Sequence, residues 1–247
     1  RDNTVKINPD LSIDASGIEQ IMNLFDEYAV EEALLLNEKH GGKVTVLSIG
    51  PEEWKEQIRR ALAMGATGSL LLNDPQFAQL DAIGAAKVAA AAINKLGDVD
   101  LVVCGRNSTD DESGAFGPAL ARLLGWPQLT YVGKFVEVGG GKVVAERHLE
   151  EVIETVEATL PAVVTVVKGA NEPRYPSLLR IRKVAKAEVP TWSAADLGLD
   201  ESALAPAVSL AGRVPPPPRP QGEMIEGASA AEKVKNLVDK LVQAQVI

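Results

Sequence analysis

The chain has 247 residues, enough for one large or two small domains, and 46% of them are hydrophobic, enough for a real core. Aromatics are only 4%, while Ala, Val and Leu abound, which favours a layered α/β protein over an all-β one. With 34 acidic and 25 basic residues, the formal charge of −9 argues against nucleic acid binding by bulk electrostatics, and the single cysteine, Cys104, excludes an internal disulfide and fits a reducing compartment.

The first half reads as alternating helices and strands. DEYAVEEALLLNEKHGG has apolar residues at helical spacing and two glycines to stop it. KVTVLSIG is a β-branched strand. Pro51 opens PEEWKEQIRRALAMGA, with acids early and arginines later, as a helix dipole prefers. GSLLLN reads as a strand, FAQLDAIGAAKVAAAAINKLG as a long Ala-rich helix, DLVVCG as a buried strand, and GAFGPALARLLG as a helix ended by Gly125. The strands are apolar without alternation, so the expected fold is α/β: a mostly parallel sheet with helices on both faces. After Trp126, QLTYVGKFVEV, VVAERHL and EEVIETVEATLPAVVTVV read as antiparallel strands, the first two joined by a tight glycine turn. VPPPPRP, from Val214, reads as an extended linker. Beyond it SAAEKVKNLVDKLVQAQ is an amphipathic helix, apolar at Val234, Leu237, Leu241 and Val242. That helix is either a packing arm for another subunit or folded back on its own domain. The expected organisation is an α/β domain over 1–213, which the polar loop after DLVVCG would make nucleotide-binding, a proline-rich linker over 214–228 and a C-terminal helix over 229–247.

Cys104 follows Leu101, Val102 and Val103 and reads as a buried strand-end thiol, not a nucleophile. His40 and His148 lack metal-ligand spacing and read as surface residues. No catalytic or metal site is expected. No apolar run approaches the roughly 18 residues of a membrane span, and no signal peptide is visible. The chain opens on Arg1, not Met, which leads us to expect a piece ahead of it.

Ligands on parallel sheets bind beyond the carboxyl ends of the strands. The loop GRNSTDDESGAFGP is the most polar and glycine-rich such segment. Gly105 can take backbone angles other residues avoid, and Gly114 and Gly117 lie near a helix start, where unpaired N–H groups attract phosphate. Asn107, Ser108, Thr109 and Ser113 add short hydrogen-bonding groups, whereas Asp110, Asp111 and Glu112 would repel phosphate unless they point away or meet ribose. It is neither a Walker A loop nor G-x-G-x-x-G. The alternative is a solvated loop with a helix cap.

The second segment is NEPRYPSLLRIRKVAK. Five basic residues and no acid lie between Arg174 and Lys186, with Leu178, Leu179 and Ile181 among them. It reads either as a solvated turn into a short amphipathic helix or as a docking surface for an acidic partner.

NLFDEYAVEEAL, TVLSIGP, IRRALAMGA, LVVCGRNSTD, GWPQLT, EATLPAVVTV and NEPRYPSL followed by basic residues occur in order along nearly the whole chain. In these the chain resembles the beta subunit of electron transfer flavoprotein. The resemblance implies an adenine-nucleotide-binding, Rossmann-like fold. It implies a heterodimer whose alpha subunit holds most of a FAD, while the beta subunit buries an AMP or, in electron-bifurcating relatives, a second FAD. Such a subunit is an electron carrier: dehydrogenases such as acyl-CoA dehydrogenases donate electrons and a membrane quinone oxidoreductase receives them. The implied location is the cytoplasm, or the mitochondrial matrix in a eukaryote, without membrane insertion. By residue, the resemblance places Asn23, Leu24, Phe25 and Asp26 beside the nucleotide, with Phe25 near the flavin, and Ile49 next to the adenine nucleotide. It makes Gly105, Arg106, Asn107, Ser108, Thr109, Asp110, Asp111, Glu112, Ser113, Gly114, Ala115 and Phe116 the nucleotide loop. It makes Arg174, Tyr175, Pro176, Ser177, Leu178, Leu179, Arg180, Ile181, Arg182 and Lys183, with Lys186, the dehydrogenase-docking segment, and Leu178 its apolar anchor. The chain departs from the family in two places. Gly114, Ala115, Phe116 and Gly117 stand where the AMP loop has Asn-Gln-Thr-Gly, and Asp-Gly-Asp-Thr-Ala-Gln-Val-Gly of the bifurcating type is unmatched too. The family's apolar first strand, which contributes to the nucleotide site, would precede Arg1. A universal-stress-type regulatory protein shares the layout but gives no reason for NEPRYPSL. A hydrolase or ligase of the related fold would need an SGGxDS-like loop, which the chain lacks.

Overall fold

A computed structural model of the chain describes residues 6–10, 12–14, 18–208, 211–212, 214, 217 and 221–247. They fall into two units: residues 17–209, and residues 1–16 with 210–247. In the smaller unit β1 (Lys6–Ile7) pairs antiparallel with β2 (Ile13–Asp14).

The larger unit begins with α1 (Leu24–His40), which ends where the Gly41 N–H reaches the Asn37 carbonyl at φ 77°. β3 (Thr45–Ile49) follows, then a 3₁₀ turn after Pro51 and α2 (Lys55–Met64), β4 (Gly68–Leu72), α3 (Ala82–Leu96), β5 (Leu101–Gly105) and α4 (Phe116–Leu124). Asp81 caps α3 by accepting the Gly84 N–H at 2.7 Å. β6 (Gln128–Gly139) and β7 (Lys142–His148) form a hairpin closed by Gly140 and Gly141. Both glycines have positive φ, as a two-residue hairpin turn matching strand twist requires. β8 (Ile153–Thr159), β9 (Ala162–Val166), the short α5 (Leu178–Val184), β10 (Thr191–Trp192) and α6 (Glu201–Leu204) complete the unit.

The strands make two main sheets. One is all parallel, in the order β10-β4-β3. The other has the order β5-β9-β6-β7-β8, with β5, β9 and β6 parallel and β7 and β8 added antiparallel. The expected α/β class holds. One expectation does not: Ala162–Val166, grouped by sequence with the antiparallel strands, is a parallel strand between β5 and β6. Every residue of β9 is buried. Val164 and Val166 pack in a cluster with Ala29 of α1, and Val163 packs with α3 and α4. Helices on both faces explain the run of apolar residues without alternation. Among the described residues β3 and β5 are each paired on one side only. Leu47 and Ile49 of β3, with Val102 and Cys104 of β5, pack around the same α3–α4 cluster. The strand expected ahead of Arg1 lies outside the described residues.

Ser229 caps α7 (Ala230–Gln243) by accepting the Glu232 N–H at 3.2 Å, and Glu232 accepts the Ala228 N–H at 2.8 Å. Val234, Leu237 and Val242 are exposed and Leu241 is half-buried. Most of the proline run, and the expected boundary at residue 213, lie outside the described residues.

Candidate functional site

Ile49 and Gly105 end parallel strands, so both stand at the carboxyl edge where a ligand would be held. The side chain of Ile49 is half-buried against the α3 clusters. Gly105 is where α1 comes down on β5. A Cβ there would lie 2.6 Å from Phe25 Cβ and 2.8 Å from its carbonyl carbon, so no larger residue fits without moving the helix. Asp26 secures the contact by accepting the Gly105 N–H at 2.7 Å. Burial pushes the Asp26 carboxyl above its ordinary range, against the pull of its hydrogen bonds from Asn23 and Gly105.

Asn23 ties the start of α1 to the loop. Its Nδ2 donates to Asp26 Oδ2 at 2.8 Å and to the Asn107 carbonyl at 2.9 Å, and its Oδ1 accepts the Thr109 N–H at 3.2 Å. Asn107 is buried, and its side chain accepts from Arg106 Nε and donates to the Ser108 carbonyl. Asn23 and Asn107 therefore brace the loop with every polar atom of their side chains. Asp110, Asp111 and Glu112 are exposed, and Asp111 accepts the Ser113 N–H at 3.2 Å. Leu24 is partly exposed beside Phe25. Cys104 faces inward, donating to the Val164 carbonyl at 3.6 Å. Burial and then Asp26 push its thiol pKa far up, which makes it an unreactive core thiol, as its sequence neighbours indicated. His40 and His148 are exposed, as expected.

The far end of the loop has the donors a phosphate needs. Ala115 is the N-cap of α4 and no side chain caps the helix. The first N–H groups of a helix have no partner within it, and those of Phe116, half-buried, and Gly117, buried, have no hydrogen-bond acceptor among the described residues. Gly114, with φ 62°, turns the chain into that position. This donor set fits the phosphate of a nucleotide. It consists of backbone groups, so the absence of an Asn-Gln-Thr-Gly sequence does not remove it.

The second segment is held from beneath. Glu31 is only 4% exposed, and its carboxylate accepts Arg174 Nε at 2.9 Å, Nη2 at 2.8 Å and the Arg174 backbone N–H at 3.0 Å. Glu38 accepts from Arg174 Nη1 at 2.5 Å. Asn171 donates to the Tyr28 carbonyl and to Glu32, a buried carboxylate whose pKa burial raises, opposed by the Asn171 hydrogen bond and reinforced by Glu31. Pro176 is buried and Ser177 caps α5. Arg180 Nη1 donates to the Met64 carbonyl at 3.0 Å, closing the end of α2. The remainder faces outward: Tyr175 is 85% exposed, Leu178 73% and Leu179 78%, and Ile181 is also exposed. Arg182, Lys183 and Lys186 are exposed without a carboxylate partner among the described residues. The uniformly basic segment is thus one arginine clamped to α1 and one tied to the end of α2, with an apolar surface and a cationic rim.

The electron transfer flavoprotein domain matches residues 10–197 of this chain. The chain belongs to the electron transfer flavoprotein beta subunit family. It is 40% identical to electron transfer flavoprotein subunit beta of Thermoanaerobacterium thermosaccharolyticum, over 99% of this chain and 95% of that protein. It is 38% identical to the subunit beta of Bacillus subtilis, over 95% and 91% respectively. It is 33% identical to the caffeyl-CoA reductase–Etf complex subunit CarD of Acetobacterium woodii, over 99% and 95%. The family assignment makes this a flavoprotein chain of electron transport. Among the described residues no helix is long and apolar enough to cross a membrane, and no group of three or more His, Cys, Asp or Glu could hold a metal.

Sequence reasoning passed over Glu31, Glu32 and Tyr131. The signal for the first two was present: adjacent glutamates beside Ala29 and Leu34, on the face of α1 that enters the core.

Proposed function

We propose that this chain is the beta subunit of a heterodimeric electron transfer flavoprotein, taking electrons from acyl-CoA and related dehydrogenases and delivering them to a membrane quinone oxidoreductase. The observation that carries the reading is the surface of α5 and its flanks, where Tyr175, Leu178 and Leu179 stand exposed within a rim of Arg182, Lys183 and Lys186. Leu178 and Leu179 bury little of their apolar surface within this chain, so folding gives them little reason to stand there. An apolar anchor with charges around it suits a transient complex with an acidic partner, which is how carriers exchange partners quickly.

FAD held with the alpha subunit supplies the redox chemistry when bound. This chain binds and orients. The backbone N–H groups at the start of α4, Phe116 and Gly117, hold the phosphate of an AMP, and Asn23, Asp26 and Asn107 keep the loop in place. Phe25 stands at the flavin side. The exposed apolar face of α7, beyond the proline linker, packs on the alpha subunit. Similarity to a subunit of a caffeyl-CoA reductase–Etf complex favours a second reading, in which the same loop holds a second FAD and the complex serves one dedicated reductase.

Co-expression with the alpha subunit tests the proposal. The purified complex should show a flavin absorbance spectrum and, on denaturation, release one FAD and one AMP per heterodimer. Two FAD and no AMP selects the second reading. A stable monomer of this chain holding stoichiometric FAD contradicts both.

A further inference from the structure

Tyr131 lies within β6 in the left-handed region, φ 59°. For a side chain larger than glycine this conformation is strained and persists where its surroundings impose it. The surroundings here are a bulge: the pairing of β6 with β9 slips between Leu129 and Val132. The slip turns both Leu129 and Val132 into the cluster under α1, which strict alternation would not allow three residues apart. The bulge therefore serves the core, and glycine would satisfy it at less strain. Tyrosine stands there instead, 42% exposed, its N–H donated to Thr165 Oγ1 at 3.2 Å.

The ring has a neighbour that accounts for it. Arg106 Cζ lies 5.4 Å from the centroid of Tyr131 and 5.1 Å from that of Phe25. Arg106 Nε donates to Asn107 Oδ1 at 2.6 Å, and among the described residues no carboxylate pairs with the guanidinium. Its terminal N–H groups have no hydrogen-bond acceptor among the described residues. A cation braced by two rings and one amide, at the carboxyl end of β5 in the loop that leads to the uncapped start of α4, is built to meet negative charge.

We propose that Tyr131 is a positioning residue that, with Phe25, holds Arg106 as the cation facing the negative charge of the nucleotide cofactor. The inference rests on the nucleotide-binding reading above. That charge has two sources, a phosphate group or a reduced flavin ring, and the test separates them.

Tyr131→Gly and Tyr131→Phe are compared with the unaltered protein in three measurements: melting temperature, AMP affinity of the full chain by calorimetry, and the flavin midpoint potential of the complex with the alpha subunit. Tyr131→Gly relaxes the backbone, so it should melt at or above the unaltered protein. It should nevertheless bind AMP about threefold more weakly, as loss of one cation–π contact implies, if the charge is phosphate. If the charge is reduced flavin, AMP affinity holds and the midpoint potential falls by the equivalent of a threefold loss of preference for the reduced form. Tyr131→Phe should retain both properties, because it keeps the ring. Tyr131→Gly with unchanged AMP affinity and unchanged potential overturns the proposal and leaves the nucleotide site standing. An unaltered protein that binds neither AMP nor a second FAD overturns both.

Discussion

Glu31 grips Arg174 with both carboxylate oxygens, and the same carboxylate accepts the backbone N–H of Arg174. The bond runs from the middle of α1 to the residue four positions before α5. It makes the base of the exposed surface part of the core, and it places Arg174 outside the set of cations free to meet a partner. The first turn of the same helix carries Asp26, whose hydrogen bond to Gly105 fixes the nucleotide loop.

Arg174→Ala leaves a buried carboxylate without its cation. The expected cost is about 3 kcal/mol of folding stability, read from urea unfolding. Arg174→Lys should recover only part of it, because an ammonium cannot make the two-pronged bond. A stability unchanged in Arg174→Ala would show that the clamp does not hold the segment.

The cations on the rim should behave in the opposite way. Lys183→Glu and Lys186→Glu should leave folding stability within about 0.5 kcal/mol while slowing association with a dehydrogenase. The slowing should shrink as salt is raised, since exposed charges are screened. Stopped-flow association at several ionic strengths measures it; a salt-independent effect would contradict electrostatic steering.

Gly105→Ala should damage both fold and site. Its methyl group would overlap Phe25, so the start of α1 must shift, at a cost of about 1–3 kcal/mol. The nucleotide content of the purified complex should fall with it. Chromatography of the released nucleotides provides the check.

Glu32 gives a pH signature. Burial raises its folded-state pKa above the unfolded value. Its stabilising contribution is therefore complete below the unfolded range, about pH 4, and is lost as pH rises through the folded value. Glu32→Gln removes the titration and keeps a carbonyl to accept from Asn171. The stability of the variant relative to the unaltered protein should rise as pH is raised above about 4, as measured by unfolding at successive pH values. A difference independent of pH would mean that burial does not raise the Glu32 pKa.

Much of this was legible in the sequence because the signals were local. The glycines after His40 and at 139–141, Pro51 before its helix, and the apolar runs of β3, β4 and β5 each act within a few residues, and the elements lie where those signals put them. The position of β9 was not legible. AVVTV has the composition of a strand covered on both faces, but its pairing with β5 is a choice between distant segments. Nor could the charge pattern separate Arg174 and Arg180 from Arg182 and Lys183. Their roles are decided by Glu31 and the Met64 carbonyl, more than 100 residues away in the chain. Tyr131 left no local mark, because a bulge is a property of two strands and not of one.

Leu178→Ala tests the central claim most directly. Burying a leucine at an interface is worth roughly 1.5–3 kcal/mol, or about one to two orders of magnitude in affinity. The variant, in complex with the alpha subunit, should keep its melting temperature and FAD content and lose dehydrogenase-coupled flavin reduction by about that factor at limiting concentration. A large drop in melting temperature with an unchanged coupling rate would contradict the docking role of α5.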